Sequence, residues 1–223
     1  MPRKAKDLTR LEIIQAGTRM FLEVGYSATS SRALCSELDI SLGTFTHYYH
    51  AKEDILAVLI GMLADFQWKT VTETVNEGET AITAICLELT AMVAMCEESE
   101  IAKDIYISSY TLPKSLDIIR KSDTERAKVV FKEFCADWTD EMFAEAETLV
   151  SGIEYATLMK TSSSAPLEAR ISGAMNTILN IYNVPPERRR RKIEKSLGMD
   201  YRKLGREMLG NFKQYVSEMT EVH

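Results

Sequence analysis

The chain has 223 residues, of which 45% are hydrophobic and 27% charged, and a formal net charge of −6. That length and apolar content suit one large domain, or a small plus a medium one, with a real core. Charged residues interrupt the apolar stretches well short of the roughly 20 residues a spanning helix needs, so no membrane partner is expected.

From Met1 to Asp7 the sequence is basic but leads into an amphipathic pattern, not into an apolar segment with a cleavage site, so export is not expected and a cytoplasmic location is. Strand signals are nearly absent: alternating β-branched runs are few and no Asn-Gly or Asp-Gly pair occurs. Helical periodicity dominates, and the fold class expected is all-α, with a three-helix N-terminal unit, a helical bundle and a C-terminal helical extension. The first helix is predicted from about Leu8 to Val24, with Ile13, Gly17, Phe21 and Val24 on one face and Gly25 as its C-terminal cap. Two short segments, 31–38 and 42–49, flank Asp39-Ile40-Ser41 and need the first helix to pack on. A long helix follows from Lys52 to about Asn76, broken at Glu77-Gly78. Further helices are predicted near 79–97, 100–111, 114–137, 140–162 and 166–183, punctuated by Pro113, Thr139-Asp140 and Ser162–Pro166, with an extension after Pro185-Pro186. The division expected is a head over 1–50 and a body over 51–223, with the helix from about residue 52 linking them.

Residues 29–49 have the mechanics of a helix-turn-helix. Ser30 or Ser31 can cap the second helix, Leu34 and Leu38 form an inward stripe, and Cys35 is small enough for a helix crossing. Ile40 plugs the turn, Ser41 caps the third helix, and Phe45 and Tyr49 face the core. Leu42, Gly43, Thr44, Thr46, His47 and Tyr48 are left facing outward, an array that a DNA major groove accepts. Spacing alone also permits an ordinary helical corner.

Over residues 9–60 the chain resembles the tetracycline-repressor (TetR) family of transcription regulators. The residues that carry the resemblance are Ile13-Ile14-Gln15-Ala16, Met20 to Tyr26, Ala28-Thr29-Ser30, Ile40 to Phe45 and Lys52 to Leu56. Beyond residue 60 only the helical layout supports it. The resemblance implies a homodimeric DNA-binding regulator, more often a repressor, whose two heads meet a pseudo-palindromic operator and which a small-molecule effector releases. It implies that Leu42, Gly43, Thr44 and His47 approach bases, that Ser31 and Arg32 lie near bases or phosphate, and that Thr46, Tyr48 and Lys52 contact the DNA backbone. It further implies an apolar effector pocket beside the fourth helix, for which Phe66, Met92, Tyr106, Tyr110, Phe134 and Tyr155 are candidates, each equally readable as core. No buried cation is evident to fix an anionic ligand. The family pairs its last two main helices with their symmetry mates, which here points to Met142, Leu149, Gly152, Ile153, Ile171, Met175, Ile178 and Leu179, with Gly173 also permitting close approach. An internal core seam is the alternative. Thr46, Tyr48, Tyr49, Asp39 and Gly17 depart from the residues usual in the family. Thr46 removes a long phenolic contact to phosphate, and Asp39 brings a charge near DNA although it tolerates a left-handed turn.

The charge distribution agrees with a head that meets phosphate: the first 50 residues carry six basic and five acidic groups, a net +1, which leaves −7 for the rest. No catalytic constellation is expected, because His47 and His50 lie in the recognition segment and His223 is the last residue, so the body has no histidine base. No cofactor and no metal are expected, and Cys35, Cys86, Cys96 and Cys135 read as reduced core thiols. A helical enzyme retaining a helix-turn-helix and a protein-interaction adaptor are the rival readings. The basic run Arg188 to Lys192 crowds a helix start, where the dipole disfavours it, and so calls for a counter-charge.

Overall fold

The computed structural model describes residues 10–75 and 80–221, and among them it contains helices and no strand. In chain order the helices are α1 (Arg10–Val24), α2 (Ser31–Glu37), α3 (Leu42–Tyr48), α4 (Lys52–Thr74), α5 (Ala81–Glu98), α6 (Glu100–Thr111), α7 (Pro113–Val130), α8 (Asp140–Leu158), α9 (Leu167–Ile181), α10 (Pro186–Leu197) and α11 (Tyr201–Glu218). Leu8, the basic residues Arg3, Lys4 and Lys6, and the Glu77-Gly78 break lie outside the described residues.

Local chemistry sets the helix ends. The Ser30, Ser41, Ser99 and Thr139 hydroxyls accept hydrogen bonds from the amides of Ala33, Thr44, Ala102 and Met142, each satisfying a donor that the first helical turn leaves open. Pro113 and Pro186 occupy first-turn positions, where a missing amide hydrogen costs nothing. α1 stops at Gly25, whose φ of +94° is open to glycine and strained for other residues. Val24, which periodicity puts on the inner face, is 55% exposed at this last turn. Asp39 takes φ +51° between α2 and α3, the left-handed turn that its short polar side chain tolerates.

α5 is the axis of the body. It is buried on nearly all sides, from Ile82 to Cys96, and packs against α4, α6, α8, α9, α10 and α11. A helix that is apolar all round must be enclosed, and the C-terminal helices complete that enclosure. α10 and α11 are therefore integral to the core, where the sequence suggested an appended extension. At Gly205 the α11 backbone comes so near α5 that a Cβ would stand 2.7 Å from the Ala91 carbonyl oxygen. α11 also reaches the head, where Gln15 Nε2 donates to the Val216 carbonyl at 3.1 Å and Lys213 pairs with Glu23 at 2.6 Å.

Three predicted boundaries shift. α7 ends at Val130 and residues 131–138 form turns, where one helix to 137 was predicted; α8 ends at Leu158 and α9 at Ile181. α4 has the length and apolar composition of a membrane span, yet it is a core helix here, packed against α1, α5, α6, α7 and α11. All four cysteines are free and buried. The basic run finds its counter-charges, Arg188 pairing with Glu133 at 2.5 Å and Arg190 with Glu187 at 2.6 Å.

Candidate nucleic-acid interface and internal cavity

In the head, Ile13, Phe21, Leu34, Ile40, Phe45 and Tyr49 are buried together, which fixes α2 and α3 at one angle on α1. Gly17 allows the crossing with α4: a Cβ there would lie 2.7 Å from Ile55 Cγ2. The opposite face of α3 is open. Leu42, Gly43, Thr46 and His47 are exposed, Thr44 and Tyr48 half-buried, and on α2 Arg32 is exposed and Ser31 half-buried. Leu42, at the first position of this capped helix, is 47% exposed, whereas Phe45 three residues on is fully buried. The Thr44 hydroxyl shares a 2.9 Å hydrogen bond with Ser41 Oγ, and the Thr46 hydroxyl donates to the Gly43 carbonyl at 3.1 Å. The His47 and Tyr48 rings meet edge to face, their centroids 5.2 Å apart.

Lys52 is engaged differently from the backbone contact that the resemblance implies. Its ammonium donates at 2.8 Å to both the Tyr26 and the Thr29 carbonyls and lies 4.1 Å from the centre of the Tyr26 ring. It thus ties α4 to the loop between α1 and α2. That loop is held from a second side by Asp104 of α6, whose carboxylate accepts from the Ser27 amide at 2.8 Å and from the Ser27 hydroxyl. A Cβ on Gly25 would stand 2.9 Å from the same carboxylate.

Both tethering helices also wall a cavity in the body, of about 820 Å³ including its open mouth. α4 contributes Ile60, Leu63, Ala64 and Gln67, α6 contributes Tyr106, Ser109 and Tyr110, and α5 contributes Met92 among others. Of the candidate effector contacts, Met92, Tyr106 and Tyr110 line this cavity. Phe66, Phe134 and Tyr155 do not: Phe66 turns to Phe212 and Tyr215 of α11 with centroids 5.6 and 5.3 Å away, Phe134 lies under the Arg188 guanidinium, and Tyr155 is half-buried on α8 off the wall. Phe131 and Tyr182, stacked at 4.0 Å, line it instead.

The cavity is more polar than the apolar pocket expected. Glu88, Asp123, Glu147 and Glu154 face it with one cation, Arg126, so a buried cation that the sequence did not reveal is present. Arg126 donates to Glu88 at 2.8 Å and lies 3.5 Å from Asp123. Glu147 accepts from the Tyr182 hydroxyl and Glu154 from the Tyr110 hydroxyl, the latter at 2.8 Å. Burial pushes the Glu88 carboxyl up to about 7 and Glu147 to about 8. It raises Glu154 well above the ordinary range, with the Asp123 charge adding to the effect. These groups escaped the sequence reading because they are spread over three helices at positions that look like solvated faces.

The expected dimer seam divides. On α9, Ile171, Met175, Ile178 and Leu179 are buried in the chain's own core. The 3.6-residue period marks an apolar face but not what covers it, and here α5, α8 and α10 do. On α8, Met142 and Leu149 are exposed at 43% and 57%, Ile153 is half-buried, and Gly152 and Gly173 have open space where a Cβ would go.

The model for bacterial regulatory proteins of the tetR family matches residues 13–59, which hold α2, α3 and most of α1 and begin α4. The uncharacterized HTH-type transcriptional regulator YuxN of Bacillus subtilis (strain 168) is 34% identical over 83 residues, 36% of this chain and 28% of that protein. The HTH-type transcriptional regulator HbdR of Aromatoleum sp. (strain CIB) is 24% identical over 132 residues, 57% of this chain and 56% of that protein. The chain therefore spans less than two thirds of the length of these relatives. Among solved structures, the TetR family protein CprB of S. coelicolor A3(2) is 15% identical, with 92% of this chain and 97% of that chain covered at a TM-score of 0.44.

Proposed function

We propose that the chain, whose residues 13–59 match the tetR family of bacterial regulatory proteins, is a cytoplasmic, non-catalytic transcription regulator that binds a pseudo-palindromic operator as a homodimer. The observation that carries the reading is the outward face of α3, where Leu42, Gly43, Thr46 and His47 stand clear of the head's core. In this reading residues 1–50 form the DNA-binding head and 51–223 the ligand-binding and dimerisation body. Leu42, Gly43, Thr44 and His47 meet base edges, Arg32 and Ser31 lie at bases or phosphate, and Thr46 and Tyr48 bind the backbone. Lys52 acts by holding the α1–α2 loop and so sets the angle of the head. The acidic body keeps DNA to the one face that is not repelled.

The cavity is the effector site in this reading, with Met92, Tyr106 and Tyr110 among its contacts. Its walls α4 and α6 carry Lys52 and Asp104, which grip the same five-residue loop, Gly25 to Thr29, from two sides. A ligand that separates the two walls pulls that loop in two directions and reorients the head. It shifts the population only as far as it prefers one arrangement over the other. The dimer forms through the outer face of α8, with Met142, Leu149, Gly152 and Ile153, and of α9 at Gly173, while Ile171, Met175, Ile178 and Leu179 support that face from within.

Selection of random duplex DNA by the purified protein tests the reading. The expected result is enrichment of one palindrome, with affinity falling steeply as salt rises because counterions are released from several phosphates. A folded protein that enriches no sequence at low salt would contradict it and favour the adaptor reading.

A further inference from the structure

We propose that the cavity takes an organic monocation with an apolar body, its positive centre held between Glu147 and Glu154; the proposal rests on the reading of the cavity as the effector site. The cavity holds four carboxylates and a single guanidinium. Arg126 is committed to one side, where it bonds Glu88 at 2.8 Å, lies 3.5 Å from Asp123 and covers the Trp68 ring at 4.5 Å. Glu147 and Glu154 lie two turns apart on α8 and reach the cavity together. Each meets a phenol, Tyr182 for Glu147 and Tyr110 for Glu154, and a phenol supplies a hydrogen bond but no counter-charge.

A carboxylate taken out of water without a cation is costly, so in the empty cavity these groups hold their protons. Glu147 titrates at about 8, raised by burial first and by the Asp123 charge second, with the Tyr182 hydrogen bond and Arg126 opposing. Glu154 is raised further by burial, Asp123 and Glu147. Across the cavity Tyr106, held by Gln67 of α4 at 2.7 Å, and Tyr110 are kept neutral by burial, and Glu88 of α5 titrates at about 7. An entering monocation supplies one missing charge, and one proton leaves to solvent as it binds while the second carboxyl keeps its own. An anion meets the same carboxylates with nothing to balance them but an engaged Arg126.

The remaining wall chooses an organic body over a hydrated inorganic ion. Leu63, Leu89, Met92, Ile119, Phe131 and Val150 offer it only apolar surface. Among the described residues no three His, Cys, Asp or Glu side chains are grouped so as to hold a metal ion.

The test compares two ions of the same shape and opposite charge, tetraphenylphosphonium and tetraphenylborate, by isothermal titration of the full-length protein. Tetraphenylphosphonium is expected to bind, about three- to tenfold more tightly at pH 8 than at pH 6, with a heat that varies with the ionisation enthalpy of the buffer. Tetraphenylborate is expected to bind at least about tenfold more weakly, and the double variant Glu147→Gln, Glu154→Gln to lose at least about tenfold of the cation's affinity together with its pH dependence. Where near-UV circular dichroism shows the double variant unfolded, Glu154→Gln alone serves. Equal or tighter binding of the borate, no binding of either ion, or wild-type binding by the variants would overturn the proposal. Ala64→Trp, which fills the cavity from α4, separates this from failure of the site itself. If it abolishes binding of both ions while charge proves irrelevant, the effector site stands and only the cation class falls; if cation binding survives it, both fall.

Discussion

Glu147 is 4% exposed, and its burial outweighs the hydrogen bond it accepts from the Tyr182 hydroxyl, so its ionisation works against folding. In the unfolded chain it titrates near 4.5 and in the folded chain near 8. Between those values the folded state retains a proton that the unfolded state has lost, so this group makes stability fall as pH rises. We expect Glu147→Gln to remove that decline. At pH 8.5 the variant should exceed the wild type by on the order of 2–4 kcal/mol, with the two converging near pH 5. Urea unfolding midpoints at the two pH values measure this, and parallel pH dependence of the two proteins would contradict it. Lys52 is the opposite case, a half-buried cation that donates two of its three hydrogen bonds to the Tyr26 and Thr29 carbonyls. Lys52→Ala should cost about 1–3 kcal/mol of stability in the absence of DNA. A lysine that only touches phosphate would change operator affinity and leave the unfolding midpoint where it was.

Among the elements, α11 closes the body onto α1 of the head. It packs on α5 at Gly205, on the head through Gln15, and on α4 through Phe66. Removing residues 186–223 should therefore expose much of α5 and free α1, giving an aggregating protein without native near-UV circular dichroism. A truncated protein with an intact near-UV spectrum would show the two helices to be appendages after all. The head was the most legible part of the sequence, because caps, turn residues and inward stripes act over a few residues: Ser30, Asp39, Ser41 and Phe45 stand where local chemistry puts them. The body was legible only as a succession of helices. Periodicity could not say that the stripe of Ile171, Met175 and Ile178 turns to its own core, nor that Glu88, Asp123, Glu147 and Glu154 converge, since both facts depend on which helix lies across from which. Aromatic residues misled for the same reason, Phe66 and Phe134 serving the docking of the C-terminal helices while Phe131 and Tyr182 line the cavity.

In the whole molecule as proposed, head, cavity and exposed α8 face work as one device. The loop from Gly25 to Thr29 is the joint, because both cavity walls reach it through Lys52 and Asp104. The proposed device needs two copies, and Leu149, 57% exposed beside the open surface at Gly152, is the residue on which the proposed pairing is most easily tested. Leu149→Arg should give a folded monomer by sedimentation equilibrium, with operator affinity reduced at least about tenfold because one head alone holds a half-site. A dimer of unchanged strength would place the interface elsewhere.

Paired binding of DNA by two heads is tested by titrating the selected palindrome against the same sequence with five base pairs inserted between its halves. Such an insertion turns one half-site by roughly half a helical turn relative to the other, away from the face that two rigidly paired heads can reach. With two heads held at one spacing, affinity is expected to fall to that of a single half-site, and a ten-pair insertion, which restores the face but not the distance, is not expected to recover it. Binding indifferent to the five-pair insertion would contradict paired binding, since heads that ignore phase are not held in register by a common dimer.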